Sequence, residues 1–250
     1  MIKEDWEFNV LGIYNYKISG PLEYYFQFII ENHDRIEGDL VEAGVFQGRS
    51  LLALGLLLKE IGSSKVIYGF DSFAGFPPVY HENDDIKMFD NLLADKRITQ
   101  QHYDKFQKNI KYRSLSIKNP SVKNLSMSGD FSSSNIDIIN KKMKMFKLDN
   151  IHLVPGAFVD TFTNIRVKPS RVMAALLDCD LYSSYKMVLP FVWQRLSKGG
   201  YIFLDEYYSL KFPGARIATD EYFADKKEKP FMHELIQGDF ERWGVRKLMD

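Results

Sequence analysis

Five short apolar runs, spaced by helix-like segments, constrain this chain more than any other feature. They are Asp39–Gly44, Lys65–Asp71, Asn150–Gly156, Arg171–Asp180 and Tyr201–Tyr208. Each is the length of a strand, and Met173–Leu177 and Tyr201–Leu204 are apolar without alternation, the pattern of strands covered on both faces. Before, between and after them lie Leu22–Asn32, the run from Leu51 to Ile61, Ile136–Phe146, Ser183–Ser197 and a segment from Pro213 to about Asp225, all of helical character. Ser50 is placed to cap the second of these and Gly62 to end it. Lys198-Gly199-Gly200 is read as the end of the fourth, and Pro213 suits a first helical turn. Strands alternating with helices predict an α/β fold with a doubly wound, mostly parallel sheet of about seven strands. The last two strands lie between Phe231 and Leu248. A turn at Gly238-Asp239 makes them an antiparallel hairpin.

The expected organisation is one domain over 1–250, with an N-terminal helical segment over 1–35 and an insertion over 79–134. The insertion is polar and rich in lysine, serine and asparagine. It is expected to carry one helix from Asp85 to Asn109 and to cover an edge of the sheet, either as a lid or as a passive excursion. Basic and acidic residues number 33 each, which gives no reason to expect nucleic acid or an anionic membrane as partner. The single cysteine, Cys179, has no internal disulfide partner. The most apolar stretch, from Ser50 to Ile61, is about half the length that crosses a bilayer. The expected location is cytoplasmic, and a homo-oligomer, first of all a dimer, is the base expectation.

Ligands of open α/β sheets bind beyond the carboxyl ends of the strands, so the ends of the five runs are the candidate site. The first ends in Glu42-Ala43-Gly44-Val45-Phe46-Gln47-Gly48-Arg49-Ser50. Its G-x-x-x-G spacing is not the G-x-G-x-x-G of a nicotinamide dinucleotide turn, so an oxidoreductase is the lesser reading. Asp71, about 20 residues further on, is placed to accept ribose hydroxyls. An Asp71-Ser72 turn cap is the plainer alternative. The third run ends in Gly156-Ala157-Phe158. The fourth ends in Asp178 and Asp180, which face the same way on a strand, with Cys179 turned into the core. The fifth ends in Asp205 and Glu206, which converge only if the chain bends there. Four carboxylates at one sheet edge repel unless a cation joins them, and a hard divalent ion such as magnesium takes oxygen ligands. His81, His102, His152 and His233 show no ligand spacing and are expected in loops or at the surface. Trp193 and Trp243 are expected to pack.

The segments VEAGVFQGRS, YGFDSFAGFPP, LVPGAFVDTF, LLDCDLYSSYKMVLPFVWQRLSKGGYIFLDEYY and FPGARIATDEYF together resemble the macrocin O-methyltransferase family, over about Leu40 to Phe223. More distantly, Ile151–Glu206 looks like the core of catechol O-methyltransferase. The resemblance implies a class I, Rossmann-like fold that uses S-adenosyl-L-methionine and a divalent cation, Mg2+ in the first instance. The acceptor it implies is a small molecule, a hydroxyl of a sugar on a nucleotide or a glycosylated metabolite. It implies Asp178, Asp205 and Glu206 as metal ligands and Asp180 as the general base. Glu42 and Gly44, with Gly48 and Ser50 of the same turn, would lie along the methionine part. Asp71 and Ser72 would meet the ribose, Gly156, Ala157 and Phe158 would border the adenine, and Asp178 would adjoin the donor. Glu206 stands where many members carry aspartate, and the insertion matches weakly. A catechol-like acceptor and a non-catalytic, S-adenosylmethionine-binding protein are the alternatives.

Overall fold

The computed structural model describes residues 2–163, 169–236 and 239–249. At its centre β1 (Asp39–Ala43) pairs in parallel with β2 (Ile67–Asp71) on one side and β4 (Val172–Leu177) on the other. β3 (Ile151–Pro155) lies outside β2 and β5 (Leu196–Leu204) outside β4, both parallel. Two short strands follow, β6 (Phe231–Met232) and β7 (Trp243–Arg246), and the order across the seven-stranded sheet is β3-β2-β1-β4-β5-β7-β6. β7 is antiparallel to both neighbours. The last strand therefore enters the sheet inside the one before it. Part of the turn expected at Gly238-Asp239 lies outside the described residues, since Gly238 is not among them.

Helices cover both faces. On one face pack α1 (Asp5–Leu11), α2 (Glu23–Asn32), α3 (Arg49–Glu60) and α6 (Ile136–Phe146). The other face carries α7 (Phe158–Thr161), α8 (Tyr182–Arg195) and α9 (Pro213–Phe223). Every residue of α3 from Ser50 to Leu58 is buried, because the helix lies between the sheet and α2 and α6. All six residues of β4 are buried, as a central parallel strand requires.

The insertion departs from its sequence reading. Instead of one helix it carries a 3-10 turn (Glu82–Asp84), α4 (Met88–Ala94) and α5 (Gln100–Arg113). The break falls where Lys96 takes a left-handed φ of 57° and Thr99 accepts a hydrogen bond from the His102 N–H to cap α5. Nor does the insertion cover an edge strand. Phe89, Leu92, Ile98 and Phe106 form a small core with Ile217 of α9, and Val122 packs with Leu181 and Phe212. It thus sits over the segments that follow β4 and β5, at the carboxyl end of the sheet. His102 is buried rather than at the surface, its Nε2 2.7 Å from the Ser209 carbonyl oxygen.

Three further boundaries shift. Gly48, not Ser50, is the N-cap of α3, and no side chain caps that helix. Leu196-Ser197-Lys198 belongs to β5 rather than to α8, and β5 ends at Leu204, so Asp205–Tyr207 form a 3-10 turn. Trp193 packs edge-on against Phe223 and Trp243 against Tyr207.

Candidate active site

The sheet reverses its winding between β1 and β4, and a cavity of about 630 Å³ opens beyond their carboxyl ends. Gly44 makes the junction possible: at φ 94°, a Cβ on it would stand 1.8 Å from the Asp178 carbonyl oxygen. The Asp178 N–H donates to the Ala43 carbonyl at 2.9 Å, which fixes the two strand ends to each other. Gly48, also left-handed, turns the chain into α3.

Gly44, Ser50, Asp71, Ser72, Ala157, Phe158, Asp178 and Asp180 all border this one cavity. Asp71 Oδ2 accepts from the N–H groups of Val45 and Phe46 at 2.8 Å each, and Oδ1 accepts from Phe73 N–H at 2.6 Å. The carboxylate therefore caps its own turn and the β1 turn together, while one lone pair, on Oδ1, stays open to a ligand hydroxyl. The Ser72 hydroxyl donates to the Gly75 carbonyl, and the Gly156 N–H donates to the Asp71 carbonyl.

Glu42 does not border the cavity. It is fully buried, its Oε1 accepting from the Ser50 hydroxyl at 2.6 Å and its Oε2 without a protein partner. Burial, aided by the Asp71 charge, pushes its carboxyl up to about 8. Glu42 supports the cavity wall through Ser50 rather than forming it.

The acidic strand ends converge. Asp178, Asp205 and Glu206 each bring a carboxylate oxygen within 4.8 Å of the others. The bend that the sequence required is the 3-10 turn at Asp205. Asp178 and Asp180 lie beyond the end of β4, and Asp180 takes a left-handed φ of 58° in a tight turn where Leu181 N–H donates to the Cys179 carbonyl. Such strain in a non-glycine residue concentrates at functional sites. Cys179 points into the core beneath α8. Burial, then the charges of neighbouring carboxylates, push Asp178 and Asp180 well above the usual carboxylate range and Asp205 to about 6. Lys211 Nζ lies 3.2 Å from Glu206 Oε1, and Arg242 Nη1 lies 3.7 Å from Asp205 Oδ1. Burial opposes the Lys211 charge, but Glu206, Asp180 and Asp205 outweigh it and hold the ammonium protonated.

Sequence reasoning did not find Tyr14, Arg49, Lys211, Arg242 or the aromatic wall. Phe131 of the insertion meets Phe46 and Phe76 with ring centroids 5.0 and 4.9 Å away. Only Arg49 carried a local signal, as a cation inside the glycine turn.

The family model for macrocin-O-methyltransferase (TylF) matches residues 25–125 and 133–239. A demethyldecarbamoylnovobiocin O-methyltransferase of Streptomyces niveus is 24% identical over 88% of this chain and 70% of its own length. An 8-demethyl-8-(2,3-dimethoxy-alpha-L-rhamnosyl)-tetracenomycin-C 4'-O-methyltransferase of Streptomyces olivaceus is 23% identical over 83% of this chain. The chain spans 66% of the length of that second relative. Among solved structures, the O-methyltransferase NovP shares the fold, with a TM-score of 0.63, 20% identity, and coverage of 91% of this chain and 79% of NovP. The chain belongs to the macrocin-O-methyltransferase family and is an S-adenosylmethionine-dependent O-methyltransferase.

Proposed function

We propose that the enzyme methylates a hydroxyl of a sugar carried on a small molecule, with a divalent cation, Mg2+ in the first instance, held by Asp178, Asp205 and Glu206. The observation that carries this reading is the meeting of those three carboxylates beside the cavity that also holds Asp71 and Asp180. The donor set fits a hard cation: it is all oxygen, and the crowding that raises Asp178 and Asp205 is relieved by added positive charge. Lys211 and Arg242 supply part of that charge. A bound cation supplies acidity to a coordinated hydroxyl and a template for neighbouring oxygens.

The chain's own residues supply the rest. Asp71 and Ser72 accept the ribose hydroxyls of the donor, Ala157 and Phe158 border its adenine, and Gly44 and Asp178 flank it on the way to the reacting centre. Asp180, at the mouth between β4 and α8, takes the acceptor's proton. This requires approach to about 2.6–3.2 Å of the hydroxyl. Placing donor and acceptor in line is worth much of the acceleration. Residues 79–134 act as a lid of the single domain, with Phe131 as its contribution to the cavity wall. Phe46, Phe76 and Phe131 give that wall an apolar character, which suits a glycoside with an apolar aglycone. The rhamnosyl group in the name of the Streptomyces olivaceus relative supports a sugar acceptor. The same aromatic wall makes a catechol-like ring the second reading.

The test is mass spectrometry of a panel of nucleotide-sugars, glycosylated aromatic metabolites and catechols, incubated with enzyme and isotope-labelled methyl donor. The expected product is a methylated sugar, lost on chelation, restored by Mg2+, and absent with Asp180→Asn although that variant still binds S-adenosylhomocysteine. Methylation confined to the catechols would replace the sugar reading, and turnover insensitive to chelators would remove the cation.

A further inference from the structure

Asp180 is held in a backbone conformation that residues with a side chain rarely take. Its φ is 58°, in the tight turn where the Leu181 N–H donates to the Cys179 carbonyl. Such a conformation persists only where its surroundings impose it. On the upstream side the sheet does so. The Asp178 N–H donates to the Ala43 carbonyl at 2.9 Å, and the buried Tyr185 hydroxyl donates to the Leu177 carbonyl at 2.9 Å. On the downstream side α8 begins at once, with Leu181 as its N-cap and Tyr182 as its first residue. A leucine side chain has no acceptor, so the first N–H groups of α8 need a partner from elsewhere.

That partner comes from the insertion. Asp84 ends the 3-10 turn Glu82–Asp84, and its Oδ1 accepts from the Tyr182 N–H at 2.7 Å across 98 residues of chain. Asp84 is only 1% exposed. Burial pushes its carboxyl up to about 6, with the Tyr182 N–H working against that rise. Helix α9 makes room for it: a Cβ on Gly214, the second residue of that helix, would stand 2.1 Å from Asp84 Oδ1. Val122, also of the insertion, packs with Leu181, and the His81 ring stacks on Tyr182 with centroids 4.2 Å apart. The residues that follow Asp180 are therefore clamped by the segment 79–134, while those that precede it are fixed to the sheet.

We infer that Asp84 is a positioning residue for methyl transfer: by capping α8 from across the fold it holds the Asp180 turn, so that the base is in place only while the insertion is seated. The inference rests on the reading of Asp180 as the group that takes the acceptor's proton. It gives the insertion a part in the chemical step, beyond the wall that Phe131 adds to the cavity.

Crystal structures of variants, which need no acceptor, and steady-state kinetics on whichever acceptor the enzyme methylates test it. In Asp84→Ala the Asp180 backbone should leave the left-handed region. Its kcat should fall about 10- to 100-fold, the cost of a misplaced reacting group, with KM for the acceptor and affinity for S-adenosylhomocysteine unchanged. Asp84→Asn, which keeps the accepting oxygen and drops the charge, should recover most of kcat. Thr99→Ala removes the cap of α5 in the same insertion without touching α8, and it should leave kcat unchanged. A second route leaves Asp84 alone. Tyr182→Pro deletes the donor at a first helical position, where proline fits, and Tyr182→Ala retains it, so only the proline variant should displace Asp180. An unmoved Asp180 in Asp84→Ala and Tyr182→Pro would overturn the inference. So would a loss of kcat in Asp84→Asn or Thr99→Ala equal to that in Asp84→Ala. A displaced Asp180 with full turnover would instead sink the reading of Asp180 as the base.

Discussion

Glu42 has one oxygen on the Ser50 hydroxyl and the other buried without a protein partner, and its carboxyl is pushed from 4.5 to about 8. The consequence for stability has a definite sign. Below its ordinary value the group is neutral whether the chain is folded or not, and it costs nothing. Between there and about 8 the unfolded chain releases the proton that the folded chain retains. Stability then falls with rising pH, by up to about 1.4 kcal/mol per pH unit from this group. Glu42→Gln keeps an acceptor for Ser50 and removes the titration. Its melting temperature should match the wild type near pH 5 and exceed it near pH 8; a difference that stays constant across that range would show that Glu42 titrates normally. The four acids at the strand ends were legible because each follows directly on an apolar run. Arg49 with Tyr14, and Lys211 with Glu206, were not. Each depends on a contact made only after the N-terminal segment or the chain beyond β5 folds back over the strand ends.

At the scale of elements, the insertion is held by polar ties to both flanks of the acidic cluster. Asp84 Oδ1 accepts from the Tyr182 N–H, first residue of α8, at 2.7 Å. Arg97 donates from Nε and Nη2 to Asp220 Oδ2 at 2.9 and 2.6 Å, and the Tyr207 hydroxyl completes that carboxylate at 2.6 Å. Asn109 reaches the Leu210 carbonyl. Removing one side of a partly buried pair leaves the other desolvated, so Arg97→Ala should cost about 1–3 kcal/mol locally. Hydrogen exchange should show faster exchange in α4 and α5 with β1, β2 and β4 unchanged. Slowing or no change in α4 and α5 would mean that the apolar packing of Phe89, Leu92 and Phe106 alone holds the segment. The sequence concealed this arrangement. Asp85 to Asn109 contains good helix formers on both sides of the Lys96 break, and nothing local announces that Arg97 has a partner on α9.

The whole molecule gathers four carboxylates, Asp178, Asp180, Asp205 and Glu206, at one end of the sheet, against two nearby cations, Lys211 and Arg242. The alternation of runs made the central parallel sheet legible. The placement of β7 inside β6 was not, because it turns on Gly244 lying under the Tyr201 ring, where a Cβ would come within 2.3 Å of the ring. That placement matters to the charge balance, since the segment preceding β7 brings Arg242 to Asp205. Even so, the acids outnumber the cations, since Arg242 is shared with Asp239, and a divalent cation would offset the excess. A ligand that binds only the folded state stabilises it by mass action, about 2.7 kcal/mol at a hundredfold excess over its Kd. For a chain of this size that is a rise of about 5–10 °C in Tm. Thermal melts with Mg2+ should show such a rise over melts at the same ionic strength in NaCl. Asp178→Asn should lose most of it, because a neutral amide offers a single weak oxygen in place of a carboxylate. If Mg2+ and NaCl shift the wild-type protein equally, the carboxylates are being screened rather than bridged, and the cation has no place in the site.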